Sequence, residues 1–377
     1  MDGSTSRIRS IDVFKGAAII VIIFCHVCVA RSGVGTPNII IQDMYLGLMV
    51  FLMISGYFYR PDRSFADNMR KRISVLLVAL LICCFALPVI SYGWAVLWGQ
   101  PIQPSDLPGG ISYMLCIHKA FDPLDNTPTV WSFCGNGVGY YFLWLMLGGF
   151  VIFYALEGRV RKDIRLRIAV IAILIASSIA YRELYPYIFP FFFHLSLMGA
   201  AFMFTGSALK QYGVFEYIDR FEWKSPRYWA LFLLSLVISL VLVFFLPPGI
   251  SFDQMIFGDY GGYSAVPYYF EALVTSVFMM YLCVIVSKIP VFSGFLIVCG
   301  RHSLGLLLLH CSLVAMMVMP FYTLSRDVWL PEELGMSMRV VLAFATLIVS
   351  LAICVYGPAV LKRIRAALGV GVERSSE

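Results

Sequence analysis

Ten apolar runs, each near the length of a membrane-crossing helix, divide this chain almost from end to end and leave it little else to become. They fall at about 11–30, 42–59, 73–93, 137–156, 167–182, 187–207, 228–246, 268–287, 303–321 and 339–358. A hydrocarbon core of about 30 Å takes about 20 helical residues to cross. With 60% hydrophobic and 13% charged residues among 377, the composition exceeds what a soluble surface tolerates. The expectation is an all-α integral membrane protein of about ten transmembrane helices, forming one domain over 1–377. No connection between the runs is long enough for a separate soluble domain.

Orientation follows from the cations, because Lys and Arg in short loops are retained on the cytoplasmic side. With a cytoplasmic N-terminus, 22 of the 28 Lys and Arg residues fall in inner segments, at 7–9, 60–72, 159–167, 210–227, 288–301 and 362–374. The outer segments hold Arg31, Lys119, Arg182, Arg326 and Arg339 among acids such as Asp106, Asp122, Glu332 and Glu333. Both termini are therefore expected in the cytoplasm. The net charge of +6 is accounted for by topology and calls for no nucleic-acid partner. Arg7 and Arg9 before an apolar run also fit a cleaved signal peptide, but Lys15 and His26 interrupt that run and its removal would turn the basic C-terminus outward.

Ten cysteines mark neither a metal site nor a disulfide scaffold, since most lie inside apolar runs, where they read as small core residues. Cys116 and Cys134 differ, because both fall in the outer loop 94–136, where an oxidising compartment permits a bond. The outer segment 247–267 is rich in Tyr, Phe, Asp and Gly. Its composition suits either a carbohydrate-facing surface or ordinary aromatic anchoring at the membrane interface.

The first run contains what hydrocarbon should reject: Asp12, Lys15 and His26 in "SIDVFKGAAIIVIIFCH". Lys15 and His26 are eleven residues apart, so they share a helical stripe at an axial separation of about 16 Å. Asp12 precedes Lys15 by three residues and can pair with it. His194, Glu271 and His310 occupy other runs at comparable depths, and each alone reads as a satisfied core residue or a reach to water. Together they point to a lined cavity, because intramembrane ionisable groups face a bundle interior or water.

These residues carry a resemblance. The phrase 10–26, the phrase "VFLMISGYFY" at 50–59 that contains Ser55, the basic "RKRI" at 70–73 and "CGRHSLGLLLLH" at 299–310 resemble the integral-membrane acyltransferase 3 family, in particular its sugar O-acetylases. The resemblance implies that His26 is the catalytic histidine and Lys15, with Asp12, its support. It implies that Arg70, Lys71 and Arg72 bind the acyl donor; Ser55, His194, Glu271 and His310 are the candidates for the cavity lining. Arg72 matches the second position of the family's Arg-x-x-Arg element, while Met69 stands at the first. The implied activity is O-acylation, most simply O-acetylation, of an extracytoplasmic glycan or lipid-linked sugar. Acetyl-CoA or another acyl-CoA is the co-substrate, with no tightly bound cofactor and no metal. The implied location is a cell membrane, with lipids as partners, in a bacterial cytoplasmic membrane. A transmembrane N-acetyltransferase of amino-sugar ends has a similar first helix. A transporter or flippase for a lipid-linked sugar or small solute would use the same polar lining as a pathway.

Overall fold

The computed structural model describes residues 8–28, 47–99, 141–184, 193–220, 222–245, 265–325 and 335–367. Cys116, Cys134 and nearly all of segment 247–267 lie outside them. Among the described residues every regular element is helical: α1 (Arg9–Cys28), α2 (Gly47–Tyr57), α3 (Phe65–Leu81), a π-helical turn at Ile82–Ala86, α4 (Leu87–Leu97), α5 (Tyr141–Val160) and α6 (Ile164–Leu184). They continue with α7 (Phe193–Gln211), α8 (Val214–Asp219), α9 (Pro226–Phe245), α10 (Ala265–Ser287), α11 (Pro290–Arg301), α12 (Ser303–Ser325) and α13 (Met336–Ala367).

Each of the ten apolar runs overlaps a helix. Among the described residues four helical stretches, Phe142–Val160, Ile164–Tyr181, Val266–Ser287 and Ser337–Val360, are long and apolar enough to cross a membrane. A fifth arises if Pro290–Arg301 and Ser303–His310, bent by 71° at His302, count as one broken span. Large apolar side chains face outward along the bundle, among them Ile173 at 62% and Ile348 at 61% exposure. Water penalises such a surface, whereas lipid chains solvate it.

Two helices organise the interior. α7 mixes small residues with Phe and Met, and every residue from Met198 to Ser207 is buried. It packs on α2, α5 and α6. α1 packs on α2, α10, α11, α12 and α13. Glycines set the closest approaches. A methyl group placed on Gly56 would fall 1.9 Å from the Met203 carbonyl oxygen, and one on Gly206 would fall 1.8 Å from that of Met53. Small residues allow such backbone contact, and in lipid this packing replaces the hydrophobic drive that water supplies.

The apolar pattern misses α11. Its twelve residues are too short to register as a crossing, and they were counted with an inner connection. Pro290 starts the helix at a position where no amide hydrogen is needed. The helix lies across the first turns of α1, and Arg9 Nη2 donates to Ser293 Oγ at 2.7 Å. α8 is likewise unannounced within 208–227. Gly213 takes φ 65°, a left-handed turn that redirects the chain from α7 into α8.

Candidate functional site

The beginning of α1, the ends of α2, α5 and α7, the beginning of α6 and the short α8 meet at one end of the bundle. Ser10 Oγ donates to Asp219 Oδ1. The Tyr57 hydroxyl donates to Glu216 Oε1 at 2.7 Å, and Lys210 Nζ donates to the Tyr59 carbonyl at 3.3 Å. Lys210 also lies 5.5 Å from the centre of the Tyr57 ring. Partial burial lowers its pKa from the ordinary lysine value; Arg161 and Arg60 add to the effect, while Glu216 and Asp62 oppose it. The basic segments 60–72, 159–167 and 210–227 thus converge on one charged end.

Lys15 Nζ lies 3.5 Å from Asp12 Oδ1 near the start of α1, with side-chain exposures of 22% and 8%. The expected pair is formed. Its helix backbone is pressed against α11, because a methyl group on Gly300 would fall 2.0 Å from the Asp12 carbonyl oxygen. His26 occupies the last turn of the same helix, and its side chain lies outside the described residues.

The three candidate donor-site cations differ in setting. α3 begins at Ser64, whose hydroxyl accepts from the Asp67 amide at 3.1 Å and donates to Asp67 Oδ2 at 2.6 Å. That reciprocal cap fixes the helix start. Asn68 then donates to the carbonyls of Arg60, Arg63 and Ser64 at 3.1, 3.3 and 3.2 Å, tying the preceding turn to the helix. From this corner Arg70 is exposed to solvent. The Arg72 guanidinium instead lies over the Phe150 ring at 5.7 Å and interacts electrostatically with the Tyr154 hydroxyl. The Lys71 side chain lies outside the described residues.

The remaining candidates are buried on separate helices. His310 is 0% exposed, and its Nδ1 is 3.1 Å from the Leu306 carbonyl one turn back, the arrangement of a core histidine bonded to its own helix. His194 stacks on Tyr181 with ring centres 5.8 Å apart and planes at 4°. Glu271 is 2% exposed on α10. Ser55 Oγ donates to the Phe51 carbonyl in its own helix at 2.7 Å.

Sequence reading passed over the most deeply buried charges. Glu157 Oε1 and Arg167 Nη2 pair at 2.9 Å with side-chain exposures of 0% and 1%, and Ser207 Oγ donates to the same carboxylate oxygen. Three helices are joined at that point. In the sequence Arg167 is one inner cation among many. The available signal was Glu157, an acid at the end of an apolar run, ten residues before a basic partner.

The charged end can bind an anionic group, and α1 runs from it carrying the Asp12–Lys15 pair and His26. A family model described as an acyltransferase domain matches residues 8–356 of this chain. No curated protein and no solved structure matches it.

Proposed function

The chain belongs to the acyltransferase 3 family, and from that premise we propose that it is a multi-pass membrane O-acyltransferase. It takes an acyl group, most simply acetyl, from cytoplasmic acyl-CoA and delivers it to a hydroxyl of an extracytoplasmic glycan or lipid-linked sugar. The observation that carries this reading is the build of α1. An Asp12–Lys15 pair sits at the charged end, and His26 follows three turns along the same helix.

In this reading the polypeptide crosses the bilayer ten times, with both termini and the charged end in the cytoplasm. Arg70, Lys71 and Arg72 bind donor phosphates through charge-assisted hydrogen bonds. His26 accepts the proton of the acceptor hydroxyl as that oxygen attacks the thioester carbonyl. The carbon–sulfur bond breaks, an ester forms, and the CoA thiolate leaves and is protonated. An acyl-imidazole on His26 serves the same end in two steps, carrying the acyl group before its acceptor arrives. Lys15 and Asp12 set the charge around the donor end of this path.

The test compares O-acetylation of surface glycans in cells with and without the gene, alongside transfer from labelled acetyl-CoA by purified protein. Loss of glycan ester on deletion, with label incorporated by the protein, is expected. Unchanged glycans, with counterflow of an unmodified solute in the absence of any acyl donor, would overturn the reading in favour of transport.

A further inference from the structure

Arg72 is the one donor-site candidate with described aromatic partners, and they come from another helix. Phe150 and Tyr154 are one turn apart on α5, with ring centres at 5.4 Å and planes at 18°. Tyr154 stacks in turn on Tyr59 at 5.7 Å and 28°, and Tyr59 meets Phe153 edge-on at 5.4 Å. All four rings are buried. The guanidinium of Arg72, from α3, lies over the first ring, on which the second is stacked, and interacts electrostatically with the hydroxyl of that second ring. A planar cation held over a ring face beside a hydroxyl has lost rotamer freedom, yet it keeps its N–H donors for a ligand.

We propose that Tyr154 and Phe150 are positioning residues that preorganise Arg72 for a phosphate oxygen of the acyl donor. This inference rests on the donor reading given above. Holding the guanidinium in one pose removes the ordering cost that a free arginine meets when its ligand arrives. The contribution falls on donor binding, because the phosphates are remote from the bond being broken. Tyr154→Phe removes the hydroxyl and leaves both ring stacks in place. Phe150→Leu removes the face beneath the cation and leaves the hydroxyl.

The experiment measures the KM for acetyl-CoA, kcat per mole of inserted protein, and the Kd for CoA by calorimetry. It uses the full-length wild type, Tyr154→Phe, Phe150→Leu, Arg72→Ala and Arg72→Ala with Tyr154→Phe. Tyr154→Phe is expected to raise KM and Kd by about two- to tenfold, the range one polar contact carries. Its kcat should change little, and the substitution should add nothing in the Arg72→Ala background. Unchanged binding in Tyr154→Phe would overturn the inference alone. So would an equal increment in both backgrounds, or lower accumulation with wild-type KM. A wild type that neither binds CoA nor transfers acyl groups would overturn the functional reading, and this inference with it.

Discussion

Gly16 and Gly300 hold α1 and α11 in backbone contact: a methyl group on Gly16 would fall 1.9 Å from the Leu296 carbonyl oxygen, and one on Gly300 would fall 2.0 Å from that of Asp12. Neither obstacle is a side chain that can turn aside. Gly16→Ala and Gly300→Ala should therefore each destabilise the folded protein by at least the ~1–3 kcal/mol of overpacking. Gly93, with no heavy atom within 4 Å of an added methyl group, is the control. Thermal unfolding in detergent checks this, and a Gly16→Ala protein as stable as Gly93→Ala would remove the crossing as a constraint.

The Glu157–Arg167 pair gives a second test, because a charge stranded in the interior costs far more than the intact pair contributes. Arg167→Met should destabilise by about 3–5 kcal/mol, the cost of breaking a buried pair from one side. Adding Glu157→Gln to Arg167→Met should recover much of that loss. Yield and unfolding temperature of the two variants decide the matter. A double variant worse than the single one would show that the carboxylate has another essential partner.

Both glycine crossings bear on how far the sequence could be read. "IDVFKG" and "CGRHSLG" stood out as phrases, and the structure packs them on each other through Gly16 and Gly300. Gly56 of "VFLMISGYFY" packs on the Met203 backbone, and Gly206, which no phrase announced, packs on that of Met53. Long apolar helices were legible because a hydrocarbon core imposes their length. α11 was not, since a twelve-residue helix lying across a bundle has no length to match. The Asp12–Lys15 pair was legible from local spacing, whereas Arg72 over Phe150 depends on two helices meeting, which periodicity does not encode. On sequence alone His310 is a cavity-lining candidate that also reads as a core residue, and its Nδ1 lies 3.1 Å from the Leu306 carbonyl of its own helix.

Topology follows from the convergence of basic segments on one end. Reporter fusions after residues 65, 163 and 370 should report cytoplasm, and fusions near 110 and 257 the outside. A consistent outside signal at 163 would invert the charged end and separate it from cytoplasmic acyl-CoA.

Joint neutralisation of Arg70, Lys71 and Arg72 should weaken use of acyl-CoA more than it alters acceptor preference. Hydrogen bonds to charged groups contribute about 1.5–3 kcal/mol each, so losing even one is visible in donor affinity. The fusion after residue 65 must report the same side in this variant, since cations in short connections also bias which side they take. An unchanged donor KM in a correctly inserted variant would remove them from the site.

His26 stands apart from the other histidines in sharing a helical stripe with the Asp12–Lys15 pair, and His26→Gln keeps approximate size while removing the base and nucleophile. The decisive quantity is acyl transfer per mole of inserted protein, wild type against His26→Gln, with His194→Gln and His310→Gln alongside. A catalytic His26 predicts normal insertion and accumulation with transfer lowered at least ~10²-fold. His310→Gln, which disturbs a buried histidine bonded to its own helix, should lower accumulation and leave the surviving molecules active. Near-normal transfer by His26→Gln would overturn the mechanism.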